Sequence, residues 1–196
     1  SDLNQAIYGR NGEAPMVVLA PATPADCFMM AYEACRIALK YMIPVILLSD
    51  GYIANGSEPW KIPDVNTLPD METRILKKKE GFAPFNHGNP DLARPWALPG
   101  TPGMEHRIGG LEKWEETGHV SYDPENHQKM VELRQEKVDI IARDLPPAKP
   151  FGKESGDLLV IGWGGTHGAL RSAVETAQSE GMSVSHLHLR HLNPLP

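Results

Sequence analysis

The segment from residue 157 to residue 196 contains the pattern that most constrains the fold. Leu158–Ile161 is a short run of apolar residues, typical of a strand that is buried on both faces. Apolar residues then recur at helical spacing through Ala169–Glu180, and Gly181 stands where a helix-ending glycine is expected. Val184–Leu189 is predicted to be the next strand. The segment therefore predicts a parallel strand–helix–strand unit, which needs neighbouring elements to bury its faces.

A second unit of the same kind is predicted near the N-terminus. Asp2–Tyr8 is expected to be the last part of a helix, and Met16–Ala20 is an apolar strand candidate. Thr23 is predicted to cap the following helix, with Pro24 as its first residue. Val45–Leu48 then supplies the second strand. Both ends of the chain thus predict an α/β fold.

The middle of the chain, Gly51–Asp123, is rich in proline and glycine and shows little periodicity. Large apolar side chains such as Trp60, Trp96 and Trp114 recur in it, which is unusual for a disordered linker. We therefore expect an ordered connector that wraps over a surface. A long helix is predicted after it, over about 124–144, because Asp123 is a good N-cap and proline follows it.

Composition and charge exclude several classes of protein. The formal net charge of −6, without a basic stripe, argues against a nucleic-acid partner. The longest apolar runs are far shorter than a membrane span, and nothing near Ser1 resembles a signal peptide, so we expect a cytoplasmic protein. Cys27 and Cys35 lie about 12 Å apart along the predicted helix, too far for a disulfide, and are expected to be buried thiols.

The glycine-rich turn Gly162–Gly168 lies between a strand and a helix, where a nucleotide fingerprint belongs. His167 occupies the place of the third glycine, and Arg190 with His191 stands where an NAD site has an acidic residue. These departures argue against NAD. A phosphate could still bind at the helix N-terminus, with Gly164, Gly165 and Thr166 as donors, and a turn needed only for packing is the alternative.

Three further residues are candidates for acid–base chemistry. Asp50 follows a predicted strand, at the end where α/β proteins usually bind ligands, although a turn-forming role explains it as well. Glu105 and His119 lie in a polar, glycine-rich stretch and would act only if they faced a cleft. His186, His188 and a nearby third histidine suggest an H-x-H metal site, but no carboxylate or thiol is spaced to complete it, so we predict no metal.

Beyond these spacings, the chain resembles a known family over nearly its whole length. It is similar to the α subunits of 2-oxoacid:ferredoxin oxidoreductases, and most similar to those of the fused 2-oxoglutarate:ferredoxin type (2-oxoglutarate synthase). The segments that carry the resemblance are GRNGEAPMVVLAPATPADCF, AYEACRIALKYMIPVILLSDGYIANGSEPW, PGTPGMEHRIGG, TGHVSYDPENH and GALRSAV…HLRHLNPLP.

The resemblance implies cofactors and partners. Thiamine diphosphate with magnesium would lie between this subunit and a β subunit, bound mostly by sequence outside this chain. CoA would accept the acyl group, and electrons would pass through an iron–sulfur cluster of the partner to ferredoxin. A hetero-oligomer is therefore expected. If CoA contacts this chain through a phosphate, the turn with Gly164, Gly165 and Thr166 is the expected place.

The resemblance also implies the domain organisation. Residues 1–55 would be the C-terminal part of a pyrimidine-binding-like parallel sheet, 56–150 the connector with its helix, and 151–196 the first half of a transketolase C-terminal-like domain. The chain would then be a C-terminal fragment of the subunit, without turnover alone. Two other functions stay open: a noncatalytic module for subunit assembly and an NAD(P)-dependent dehydrogenase domain.

Overall fold

The computed structural model describes residues 2–196, and its first half contains the predicted parallel unit. Helix α1 spans Asp2–Tyr8, strand β1 Val17–Leu19, helix α2 Asp26–Tyr41 and strand β2 Val45–Leu47. Strands β1 and β2 pair in parallel. The strand–helix–strand prediction for this end of the chain is confirmed.

Helix α2 begins two residues later than its sequence predicts. Ala25 is its N-cap and makes no side-chain capping bond, because its methyl group has no acceptor atom. Residues 23–25 form a tighter turn before the helix. Thr23 nevertheless accepts a hydrogen bond from the Asp26 N–H through its hydroxyl oxygen, at 3.3 Å. Thr23 therefore supports the start of the helix, although Pro24 is not helical.

The alternating side chains of β1 build the core on both faces of the sheet. Val17 and Leu19 are fully buried against Met30 and Ile37 of α2 on one face. Val18 and the residue after the strand are buried on the other face, in a cluster that includes Ala6 of α1. Because successive side chains of β1 point to opposite faces and are buried on both, β1 lies at the centre of the fold.

The connector has little regular structure, as predicted. Its elements are α3 (Gly51–Asn55), a 3₁₀ turn at Val65–Thr67, and the two-residue strands β3 (Ile75–Leu76) and β4 (Trp96–Ala97), which pair in parallel. Ala93 of the connector is fully buried in the core beside β1. The connector is therefore an ordered part of the fold.

Helix α4 spans Pro124–Ile141 and continues into a 3₁₀ turn at Ala142–Asp144. Its start is as predicted, because the Asp123 carboxylate accepts a hydrogen bond from the Asn126 N–H at 2.7 Å. Ile141 at its end is fully buried in the cluster against α2. The helix thus ties the connector to the first sheet.

The second parallel unit consists of β5 (Leu158–Trp163), α5 (His167–Ser179) and β6 (Val184–Leu189). Strands β5 and β6 pair in parallel over six residue pairs. Gly181 has a φ of +90°, the left-handed conformation expected after a helix. This strand–helix–strand prediction is also confirmed.

The predicted burial of β5 on both faces is wrong. Leu158, Leu159 and Ile161 are 59%, 49% and 57% exposed. The reason is that, within residues 2–196, β5 has β6 on one side only and α5 over one face. Within residues 2–196, no strand besides β6 pairs with β5, so its apolar side chains stay about half exposed.

A short last strand, β7 (His191–Asn193), was not predicted. It pairs antiparallel with β1, so that the first sheet has the order β2–β1–β7. The Asn193 side chain donates to the carbonyl oxygen of Met16 at 2.6 Å. The C-terminal segment therefore adds a strand to the sheet of the N-terminal unit, while the predicted domain boundaries stay a prediction.

Two smaller expectations have mixed outcomes. Cys27 and Cys35 are both free thiols on α2, but Cys27 is only partly buried and Cys35 is exposed, so the predicted burial of both is not met. Among residues 2–196, no helix combines the length and the apolarity that crossing a membrane requires.

Candidate functional site

Three loops that follow strands converge on one groove. They are residues 22–24 after β1, 51–58 after β2 and 165–168 after β5, and they line a volume of about 480 Å³ that we call the carboxyl-end groove. In parallel α/β folds, ligands usually bind where the carboxyl ends of the strands meet. This groove is therefore the first candidate site of the chain.

Asp50 joins two of these loops. Its carboxylate caps α3 by accepting from the Ile53 N–H at 2.9 Å, and it also accepts from the Gly165 N–H at 2.6 Å. These bonds from backbone N–H groups, first from Ile53 and then from Gly165, hold the pKa of the Asp50 carboxyl below its usual value. Asp50 is thus ionised at neutral pH and acts as a clamp between the loops.

The same contact explains the glycines of the turn. Residues 164–166 form a 3₁₀ turn before α5, and Gly164 has a φ of +63°. A Cβ on Gly165 would lie 2.7 Å from the Asp50 carboxylate, so the loops approach too closely for a side chain there. Gly164 and Gly165 are therefore required by the packing of Asp50, whichever ligand the groove binds.

The predicted phosphate donors are partly occupied. The Gly165 N–H is bonded to Asp50, and the Thr166 hydroxyl donates to the carbonyl oxygen of Trp163 at 2.7 Å. A phosphate at this turn would also face the charge of the Asp50 carboxylate. The assignment of Gly164, Gly165 and Thr166 to a CoA phosphate stays a prediction, and in this geometry the Gly165 N–H and the Thr166 hydroxyl already have partners.

The lining of the groove contains one carboxylate and one imidazole. Glu58 accepts from the Ala25 N–H at 2.5 Å, and its bonds to Thr23 and to this N–H lower the pKa of its carboxyl. His167 also lines the groove. The groove therefore offers hydrogen-bond acceptors, which suit a ligand with N–H groups better than a polyanion.

The other predicted acid–base residues lie outside the groove. The side chains of Glu105 and His119 are both exposed on the connector. Backbone N–H groups, first its own and then that of Gly103, lower the pKa of the Glu105 carboxyl. Neither Glu105 nor His119 lines the carboxyl-end groove.

Three histidines cluster behind the glycine turn. The ring centroids of His167 and His188 are 4.8 Å apart, and those of His186 and His188 are 5.4 Å apart. Burial first, and then the charge of His167, lowers the pKa of His188 to about 4 and shifts that of His186 in the same direction. His191 is elsewhere, 3.8 Å from Glu33. No group of three ligands placed to hold a metal occurs within residues 2–196.

Sequence reasoning missed a second cleft, at the opposite end of the first sheet. Residues 13–16 before β1 and 42–44 before β2 form one wall, and the connector and α4 form the other, around a volume of about 630 Å³. Four cationic side chains line this cationic cleft: Arg94, Lys113, Arg134 and Lys137. The available signal was a lysine on the otherwise apolar face of α4, at position 137.

The chain was compared with known families and structures. Residues 1–150 match the family model for pyruvate flavodoxin/ferredoxin oxidoreductase, thiamine diphosphate-binding. A solved structure of 2-oxoglutarate:ferredoxin oxidoreductase from Magnetococcus marinus, with 2-oxoglutarate, coenzyme A and succinyl-CoA bound, superimposes with a TM-score of 0.90 at 32% identity. That match covers 100% of this chain and 34% of the solved one.

Two curated relatives show the same likeness. The 2-oxoglutarate oxidoreductase subunit KorA of Mycobacterium tuberculosis is 55% identical over 197 residues, which cover 100% of this chain and 30% of the relative. The 2-oxoacid:ferredoxin oxidoreductase 1 subunit alpha of Aeropyrum pernix is 31% identical over 201 residues, 31% of its length. The chain thus spans about a third of these relatives. It belongs to the pyruvate flavodoxin/ferredoxin oxidoreductase family, in the thiamine diphosphate-binding part.

Proposed function

We propose that the chain is part of the α subunit of a thiamine diphosphate-dependent 2-oxoacid:ferredoxin oxidoreductase. The reaction would be the oxidative decarboxylation of a 2-oxoacid to its acyl-CoA, with 2-oxoglutarate as the proposed substrate. The observation that carries the proposal is the family match over residues 1–150, together with 55% identity to a 2-oxoglutarate oxidoreductase subunit. It favours this function over a noncatalytic assembly module and over an NAD(P)-dependent dehydrogenase.

The chain's own residues fit only part of the cofactor. Thiamine diphosphate, when bound, would supply the carbon nucleophile that this chemistry requires. The acceptors at the carboxyl-end groove, Glu58 in its lining and Asp50 behind the glycine turn, suit the N–H groups of an aminopyrimidine. They do not suit a diphosphate, whose charge they would repel. We therefore assign the diphosphate and magnesium to residues of a β subunit and of sequence outside this chain.

An NAD(P) role is also disfavoured by the residues at the end of β6. The Arg190 guanidinium is engaged with the Asp26 carboxylate in a two-pronged ion pair. His191 is buried and lies near Glu33. Arg190 is thus paired with a carboxylate and His191 is withdrawn from solvent, and neither supplies the acidic group that binds the ribose of NAD.

The proposed assembly is a hetero-oligomer with a β subunit, which would carry an iron–sulfur cluster and pass electrons to ferredoxin. The connector is the proposed contact surface, because it exposes large apolar side chains: Trp60 is 47% exposed, Ile62 77% and Val65 75%. The exposed face of β5 is proposed to receive the remaining strands of a transketolase C-terminal-like domain. Residues 1–55, 56–150 and 151–196 would then be the three parts of the chain.

The test is an activity assay on the natural full-length protein, purified with and without its β subunit. We expect reduction of a viologen dye that depends on both 2-oxoglutarate and CoA, and only when both subunits are present. Residues 1–196 expressed alone should show no turnover. Reduction of NAD(P) in place of the dye, or turnover by the isolated chain, would contradict the proposal. Pyruvate and other 2-oxoacids serve as the comparison that identifies the substrate.

A further inference from the structure

The cationic cleft carries more positive charge than its own carboxylates neutralise. Its two acidic side chains, Glu13 and Glu112, lie at the rim and are already engaged. Arg134 forms ion pairs with both of them, and His127 contacts Glu112 at 2.7 Å. The remaining cations of the cleft therefore have no lining carboxylate of their own.

Two of these cations are stacked on one aromatic ring. The guanidinium carbon of Arg94 lies 4.7 Å from the centroid of the Phe85 ring, and the Lys113 ammonium lies 5.7 Å from it. Lys113 is buried and also donates to the carbonyl oxygen of Gly109 at 2.5 Å. Arg94 has the ring as its neighbour and no ion-pair partner within residues 2–196. Its planar donors are thus free to bind an anion.

Lys137 is the most buried cation that faces the cleft without a partner. It is 6% exposed, and its ammonium has no carboxylate partner within the described residues. Burial, followed by the charge of Arg94, lowers the pKa of Lys137 to about 8, while Asp91 opposes this effect. Asp91 cannot serve as the partner, since both of its oxygens bind Arg74.

A buried, unpaired ammonium is costly, and proteins keep such groups mostly where a ligand or partner completes them. The unpaired imidazole nitrogen Nδ1 of His87, a residue only 7% exposed, lies in the same cleft. Burial, with the charges of Lys137 and Arg94, lowers the pKa of His87 to about 4, so it is a neutral group at pH 7. The cleft therefore has free cations and a free polar atom arranged around one space.

We propose that the cationic cleft binds the phosphate group of an organic phosphate, with Arg94 and Lys137 as its charged donors. A phosphate monoester carries a charge of about −1.5 to −2 and three acceptor oxygens, which matches two free cations better than a single carboxylate does. Phe85, Ile43 and Met130 provide apolar walls for the organic part. The volume of about 630 Å³ lies within the range of small-molecule sites. This site does not depend on the proposed oxidoreductase function.

The first test follows Lys137 itself, in the natural full-length protein. The protein is acetylated with limiting acetic anhydride at pH 8, and the modification of Lys137 and Lys129 is compared by mass spectrometry of one digest. Lys129 is the internal control, because it is an exposed lysine of the same helix, outside the cleft. Saturating inorganic phosphate, at constant ionic strength, should lower acetylation of Lys137 about ten-fold relative to Lys129, because a bound anion restores its protonation.

Variants and ligands then separate the possible sources of the effect. Protection should be lost in Arg94→Met, and thermal stabilisation by phosphate should be lost in Lys137→Met but kept in Lys129→Met. Protection by CoA at lower concentration than by dephospho-CoA would support the proposal and identify the 3′-phosphate as the source. Absence of protection and of thermal stabilisation with phosphate, CoA and thiamine diphosphate would overturn it. Protection by 2-oxoglutarate alone, or only by an added partner subunit, would also overturn it.

Discussion

The Asp50 clamp gives the sharpest prediction about how the groove is held together. Asp50→Ala removes the N-cap of α3 and the acceptor for the Gly165 N–H. A lost carboxylate cap costs about 1 kcal/mol of stability. The second bond, from a charged acceptor that is partly solvent-accessible, is worth about 1.5 kcal/mol. We therefore expect the free energy of unfolding to fall by about 2.5 kcal/mol, the sum of these two terms.

The assay is urea denaturation of the wild type and three variants, monitored by tryptophan fluorescence at pH 7. Asp64→Ala is the matched control, because Asp64 caps a 3₁₀ turn on the exposed connector by accepting from the Asn66 N–H at 2.9 Å, without a long-range bond. Its cost should stay near 0.5–1 kcal/mol, at the lower end of the range for a lost cap. Asp50→Asn keeps an acceptor but loses the charge, and should cost about 1 kcal/mol.

The pH dependence provides an independent check. The folded-state pKa of Asp50 is depressed, so its contribution is present above the unfolded value and is lost as the pH falls through the folded one. The difference between wild type and Asp50→Ala should therefore shrink below about pH 4. Hydrogen exchange at the Gly165 amide should also be faster in the variant. If Asp50→Ala cost no more than Asp64→Ala, with unchanged exchange at Gly165, the clamp would not exist.

Three further predictions follow from burial. Lys137→Met should raise the free energy of unfolding at pH 7 without phosphate. The wild type should gain at most about 3 kcal/mol of stability as the pH rises from about 8 to about 10.5, and the variant should lose this gain in denaturation measured at several pH values. Ile37→Ala should cost about 2–5 kcal/mol in the same assay, whereas Ile62→Ala, at a 77% exposed position, should change it by less than about 0.5. His188→Leu should reduce the loss of stability between about pH 6.5 and pH 4, since a neutral buried imidazole opposes protonation there; an unchanged pH profile would contradict this.

The sequence was sufficient for elements whose signals are local. The cap and proline at Asp123 and Pro124 located the start of α4, and the apolar runs located β1, β2, β5 and β6. Periodicity reports only which residues are suited to burial, and this is why it overstated the burial of Leu158 and Ile161. A run of apolar residues does not show which other elements of the fold cover the strand.

The features that could not be predicted from the sequence depend on contacts between residues that are far apart in the chain. Strand β7 has three residues, and its partner Val18 is 175 positions before Asn193, so no local pattern announces it. Asp50 and Gly165 were each singled out, but only the fold brings them within 2.6 Å. The cationic cleft is similar, since Arg94 and Lys137 come from different segments of the chain. Such juxtapositions follow from tertiary packing and not from spacing.

The pairing of β7 with β1 has a consequence for synthesis of the protein. Strand β1 exposes one hydrogen-bonding edge until residues 191–193 have emerged, although its other edge can pair with β2 almost at once. At about 5–20 residues per second, the intervening residues take roughly 10–35 seconds to translate. During that interval the edge is an unpaired template for other chains. The nascent chain therefore passes through a vulnerable period whose length is determined by the sequence distance between β1 and β7.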